Sequence, residues 1–305
     1  MAIAPTGSYS VQKQEFLNSV INKIGKQVYA DQAYINPLKR LKDEFIEGAS
    51  DIEEIYVDRA EDTGFDKEGK GVMDRAKPTT YAQYHTNEVE HGYKVTVHDK
   101  QMRKGFLTKG GVSTMADHII QSMHTGSNID EYKDIIDTLK SLCGAKTEHN
   151  TITTAPVTDE VSAKTFCKEV KKIIPKMGEW NELYSAKPNY APKERLILFL
   201  DSDVDVEVST EYLASLFNMT ISQLNDTTKI IVPNLKEKLG EGQFAVLCDE
   251  RCLKIHPTYY NIESIRNTRG KFTNYDLVTN LLLSYSDWFQ FVVFVEGEIS
   301  KTKRR

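Results

Sequence analysis

Apolar and polar positions alternate most clearly at residues 93–98, where Tyr93, Val95 and Val97 are interleaved with Lys94, Thr96 and His98. That two-residue period belongs to a half-buried strand. Ile55, Tyr56 and Val57 begin an earlier strand-like run, for which residues 81–97 are the expected return partner. Between them, residues 60–80 are polar and glycine-bearing, far longer than the roughly 4–6 residues of an ordinary connection. The pattern predicts a long projecting hairpin.

Helical periodicity takes over downstream. Residues 1–35 scatter Phe16, Leu17, Val20, Ile21 and Ile24 at a loose helical spacing, which reads as an arm with one short helix. Met115, Ile119, Ile120 and Met123 share a helix face, with Ser113 as a start cap and Gly126 as a left-handed stop. A second helix opens at Asn128, with Glu131 near capping-box spacing, and buries Tyr132, Ile135, Ile136, Leu139 and Leu142 before Gly144. After a Thr-rich linker (residues 147–158), a third helix turns Ala163, Phe166, Cys167, Val170 and Ile174 inward, with Pro175 restraining its end.

Residues 196–200 form a short continuous apolar run hemmed by charge, the signature of a strand buried on both faces. Two short helices are expected at residues 210–217 and from Thr220. Strands are expected at residues 229–232, 244–248, 253–256, 259–265 and 291–295. The order is mixed and not a regular βαβ alternation, so the fold class is α+β.

Composition narrows the picture. The chain has 305 residues, enough for a sizeable core, and a formal charge of -5, which disfavours a surface that wraps nucleic acid throughout. Four scattered cysteines are too few for a disulfide framework, so a reducing compartment is expected. No signal peptide is expected at the N-terminus, and the longest apolar runs fall well short of the roughly 20 residues of a membrane-spanning helix.

Chemistry-bearing clusters are sparse. Asp201, Asp203, Asp205 and Glu207 begin like a calcium loop, but Val206 stands where the turn needs glycine and Tyr212 where a bidentate Glu belongs. A solvated strand end beside a helix N-terminus explains the same acids. Cys248 and Cys252 flank a three-residue hairpin tip and read as buried thiols, because two further zinc ligands are lacking nearby. His85, His91 and His98 sit on the expected return strand, too far apart or on opposite faces to chelate one ion. No phosphate loop, nucleophile elbow or zincin motif occurs, so no enzyme activity and no cofactor are expected. Lys164, Lys168, Lys171 and Lys172 line the polar face of the third helix, and Lys303, Arg304 and Arg305 end the chain. Both read as solvated charge or as surfaces facing DNA or an acidic neighbour.

Several short strings carry a family resemblance. Asn36-Pro37-Leu38-Lys39-Arg40 followed by Ile52-Glu53-Glu54-Ile55-Tyr56 resembles the lead-in to the hairpin in major capsid proteins of small podophages related to phage phi-twenty-nine. Residues Asn128-Ile129-Asp130-Glu131-Tyr132, Phe217-Asn218-Met219, and Arg266-Asn267-Thr268-Arg269-Gly270 with Asn274-Tyr275 resemble the same family in the same order. The resemblance implies the Hong Kong ninety-seven phage capsid fold. It assigns residues 1–50 to an N-arm and the lead-in to the P-domain, 51–99 to the E-loop and 100–160 to the P-domain with its spine. Residues 161–249 become the A-domain, and 250–305 the C-terminal P-domain strands and basic tail. The implied function is a head protein whose hexamers and pentamers enclose double-stranded DNA, with scaffolding and portal proteins as partners and no membrane. An encapsulin-like shell, or a metal-dependent enzyme using Asp201, Asp203, Asp205 and Glu207, are the alternatives.

Asp62, Asp66, Lys67, Glu68, Lys70, Asp74 and Arg75 at the hairpin tip are then expected at a subunit interface. Lys67, Lys70 and Lys77 could serve a capsid crosslink, but noncovalent shells are expected of this type. The roughly 35 residues before Asn36 are too few for a built-in scaffold with its own core. The immunoglobulin-like domain that follows in the phi-twenty-nine type is not expected after Arg305.

Overall fold

The computed structural model describes residues 33–48, 50–62, 64, 67, 75–99, 111–208 and 228–297. The expected N-terminal arm helix, the two helices at residues 210–217 and after Thr220, and Lys303, Arg304 and Arg305 lie outside them. In chain order the elements are β1 (Ile52–Val57), β2 (Thr80–His85), β3 (Glu88–His98), α1 (Gly111–Gly144), β4 (Thr151–Thr154), α2 (Glu160–Met177), β5 (Leu196–Asp201) and α3 (Ser202–Glu207). Then follow β6 (Lys229–Val232), α4 (Leu235–Leu239), β7 (Gln243–Asp249), β8 (Leu253–Asn267), β9 (Phe272–Tyr285) and β10 (Phe291–Glu296).

The described residues divide into two compact units, one within residues 38–89, 132–258 and 281–297, the other within residues 33–37, 90–131 and 259–280. In the larger unit a five-stranded mixed sheet runs β4-β10-β7-β5-β6. Strand alternation sends alternate side chains to opposite faces. Leu196, Leu198 and Leu200 of β5 join Val292 and Phe294 of β10 and the inner face of α2 in one core, while Ile197, Phe199, Phe291 and Val293 join Ile135, Leu139 and Leu142 of α1 in the other. Helices cover both faces, which is why β5 reads as a continuous apolar run. α2 is fixed at its start by a capping box between Asp159 and Ser162 and buries Ala163, Phe166, Cys167, Val170, Ile173, Ile174 and Met177.

Several expectations are corrected. The helices expected on either side of Gly126 are one helix, α1. Gly126 does not stop it but admits the Tyr93 ring, whose Cδ1 would lie 3.0 Å from an added Cβ. Asn128 does not cap a second helix, since its side chain donates to the Tyr34 carbonyl at 2.8 Å. Nearby, the buried Asn36 donates to Glu131 at 2.7 Å.

The return strand of the hairpin is shorter than expected. β2 pairs with β1 in register from Ile52 opposite His85 to Val57 opposite Thr80, whereas β3 joins β9 and β8 in a separate three-stranded sheet. Residues 253–256 and 259–265 are one strand, β8, while β4 and β9 arise where no strand is expected. Cys248 and Cys252 do not flank a hairpin tip, because β7 pairs with β5 and β10. Both remain free and buried, the role expected of them.

Candidate functional site

The expected assembly surface is the β1–β2 ribbon, a two-stranded sheet among the described residues. Along β1, Ile52, Glu54 and Tyr56 turn to the half-buried face while Glu53, Ile55 and Val57 stay exposed. Glu54 departs from the usual apolar-in pattern, because it has polar partners on that face. Its carboxylate meets His85 Nε2 and the Lys254 ammonium, each at 3.1 Å, and His85 Nδ1 lies 2.7 Å from Ser284 Oγ. Burial opposes ionisation of Glu54, but the His85 hydrogen bond and the Lys254 charge outweigh it and hold the carboxyl down at about 2. Tyr56 donates its hydroxyl to the Pro188 carbonyl at 2.6 Å and meets Trp288 edge-on, while the Lys187 ammonium covers the Tyr81 ring. The root of the ribbon is thus pinned, and its outer surface presents Ile55, Val57 and Tyr84 to solvent.

Of the expected tip residues, Asp62, Lys67 and Arg75 are exposed, and Asp62 accepts a hydrogen bond from the Gly64 amide at 2.9 Å. Asp66, Glu68, Lys70 and Asp74 lie outside the described residues. The sequence pattern does not mark Glu54, His85, Lys254 and Tyr56 as one anchor. The available signal was an acidic residue at an inward position of an alternating strand.

Asp201, Asp203, Asp205 and Glu207 do not converge on a cation position. Asp201 is buried, and its two oxygens accept from the Asp203 and Lys236 amides at 3.0 and 2.8 Å. It thereby caps α3 and ties it to α4. Asp205 pairs with Lys229. The calcium-loop reading is replaced by a capped helix start, with no group of three or more His, Cys, Asp or Glu placed for a metal among the described residues. His85 is held by Glu54 and Ser284, and His98 packs edge-on against Phe272.

The lysine face of α2 is exposed as expected. Lys164 pairs with Glu160 and Lys172 with Glu169, each at 2.6 Å, and Lys168 and Lys171 point to solvent. No described helix is long and apolar enough to cross a membrane.

The arrangement of pinned ribbon, long helix and helix-covered sheet matches solved phage capsids. "Capsid structure of Staphylococcus phage Andhra" superposes with a TM-score of 0.74 at 13% identity, covering 90% of this chain and 87% of that one. "Capsid structure of the Cyanophage P-SCSP1u" gives a TM-score of 0.60 at 9% identity, covering 91% and 94%. The fold is therefore that of phage capsid subunits, the α+β Hong Kong ninety-seven type. Residues 3–295 match the family described as Phi29-like phage major capsid protein, and the chain belongs to that family. The "Major capsid protein" of Bacillus phage PZA is 26% identical over 297 residues, covering 94% of this chain and 64% of the relative. That of Streptococcus phage Cp-1 is 24% identical over 302 residues, covering 90% and 80%. The chain thus spans slightly less than two thirds of the PZA relative's length.

Proposed function

We propose that this chain is a shell-forming head protein of a virion. Many copies, grouped as hexamers and pentamers, close into an icosahedral-type shell around double-stranded viral DNA. The observation that carries the reading is the family match across residues 3–295. The exposed apolar side chains of the pinned β1–β2 ribbon support it, since a two-stranded ribbon has no core of its own and gains stability by packing on something else.

In this reading residues 51–99 act as the E-loop, with Asp62, Asp66, Lys67, Glu68, Lys70, Asp74 and Arg75 setting register against a neighbouring subunit through paired charge. Residues 1–50 form the N-arm and lead-in, 100–160 and 250–305 the P-domain, and 161–249 the A-domain. Assembly takes place in the host cytoplasm on a separate scaffolding protein, a portal protein occupies one vertex, and Lys303, Arg304 and Arg305 contact packaged DNA without sequence preference. The protein works by self-association and not by catalysis. Phage capsids among the solved structures and the curated relatives favour this over an encapsulin-like compartment or a metal enzyme.

The test is negative-stain electron microscopy of the protein co-expressed with its scaffolding protein, together with boiled, reduced denaturing gels of the particles. Uniform closed shells that run as monomer on the gel are expected. Absence of shells would overturn the function, and a ladder of oligomers would overturn the noncovalent assembly, which leaves Lys67, Lys70 and Lys77 unlinked.

A further inference from the structure

On α1, Ile120, His124 and Asn128 follow one another at four-residue steps, so they form a single column along the helix. At one end of the column Asn128 donates to the Tyr34 carbonyl at 2.8 Å, and the neighbouring Thr125 hydroxyl accepts the Tyr34 amide at 3.4 Å. At its middle the Tyr260 ring of β8 stacks on the His124 ring, with centroids 6.0 Å apart and planes 10° apart. The Tyr260 hydroxyl lies 3.2 Å from His124 Nε2. Ile262, two residues further along the strand, shares the Tyr260 face. All of these residues belong to the unit that contains residues 90–131 and 259–280.

This patch is apolar and open to water. Ile120 is 40% exposed, Tyr260 51% and Ile262 40%. Covering it removes apolar area from water at about 25 cal/mol per Å². The Tyr34 hydrogen bonds show which part of the chain is at hand, because the backbone leading to Tyr34 arrives at the Asn128 end of the same column. Nine residues (25–33) separate Ile24 from Tyr34, a connection that reaches roughly 30 Å when extended. The column from Asn128 to Ile120 is only about 12 Å long.

The segment before that connection has a matching pattern. At about 100° per residue, Phe16, Leu17, Val20, Ile21 and Ile24 fall within about 140° of a helix circumference. Asn18, Ser19 and Asn22 fall on the other side, and Gly25 closes the run. A helix this short is marginal alone in water and gains stability by burying its apolar stripe.

We propose that residues 16–24, which lie outside the described residues, dock as an amphipathic helix on the Ile120, Tyr260 and Ile262 patch of their own subunit. The occupant is the same chain because Tyr34 tethers the segment at the patch. A short tether holds it there at an effective concentration on the order of millimolar, which a second copy in dilute solution does not reach. The inference concerns the single subunit and does not rest on the shell-forming reading.

The test is hydrogen exchange read by mass spectrometry on the full chain, at a dilution where it sediments as a monomer. Amides of residues 16–24 are expected to exchange at least tenfold more slowly than in a free peptide of the same sequence, and Ile120→Ser with Tyr260→Ser is expected to remove that protection. A second measurement leaves α1 and the Tyr260 stack unaltered. In an Ile262→Cys chain, whose four native thiols are buried, the rate of maleimide labelling at position 262 is expected to rise at least fivefold when Leu17→Ser and Ile21→Ser are added. Free-peptide exchange across residues 16–24 would overturn the proposal, as would protection that survives Ile120→Ser with Tyr260→Ser, which would place the segment elsewhere. Protection that arises only when subunits associate would assign the patch to a second copy and overturn it too. A labelling rate at position 262 that ignores Leu17→Ser with Ile21→Ser overturns it even if the Ile120 and Tyr260 variant fails to fold.

Discussion

Glu54→Gln removes one charge from the root of the ribbon and nearly nothing from its volume. In the folded protein the carboxyl is held at about 2 against a usual value of 4.5. At about 1.4 kcal/mol per unit, the ionised group contributes at most about 3 kcal/mol at neutral pH. Its side chain is 11% exposed, and Gln can still accept from His85, so a loss of about 2 kcal/mol is expected after solvent screening. That corresponds to a melting temperature lower by about 4–8 °C for a chain of this class.

The sign with pH follows from the lowered folded value. The contribution is complete above the unfolded value of 4.5 and is lost as pH falls through about 2. The stability gap between parent and variant should therefore be full at pH 7, shrink to about half by pH 3, and close near pH 2. Urea denaturation followed by tryptophan fluorescence suits the measurement, because Trp288 packs edge-on against Tyr56 at the anchored face. A gap that is absent at pH 7, or equally large at pH 3, would refute the reasoning.

Two further outcomes are expected. Replacing residues 62–74 by a short Gly-Ser turn leaves circular dichroism and melting temperature nearly unchanged, because exposed Asp62 and Lys67 have no core to lose, but it abolishes shells; normal shells would argue against the tip as an interface. Phe166→Ala, which removes a buried ring packed edge-on against Phe244 and Phe294, should cost about 3–5 kcal/mol in denaturant unfolding, and a loss below about 1 kcal/mol would mean that the core closes over the gap.

By itself the sequence determined what local pattern and composition can encode. The apolar face of α2, from Ala163 to Ile174, and the two-sided burial of β5 were legible because one period and one short run specify them. Buried free Cys248 and Cys252 and the family followed from residue type and collinear strings. Tertiary structure alone decided the rest. Gly126 and Asn128 look like a helix break until Tyr93 and Tyr34 occupy them, and no local signal names those partners. β9 is not legible in the sequence because one strand begins with half-buried, largely polar residues and ends in the continuous buried run Leu281-Leu282-Leu283, so it has no single period. β2 and β3 look like one return strand because only Thr86 and Asn87 separate them, yet they join different sheets after His85 turns toward Glu54 and Ser284. Glu54 itself faces inward only because His85 and Lys254, 31 and 200 residues away in sequence, supply the charge and hydrogen bonds that make its burial favourable.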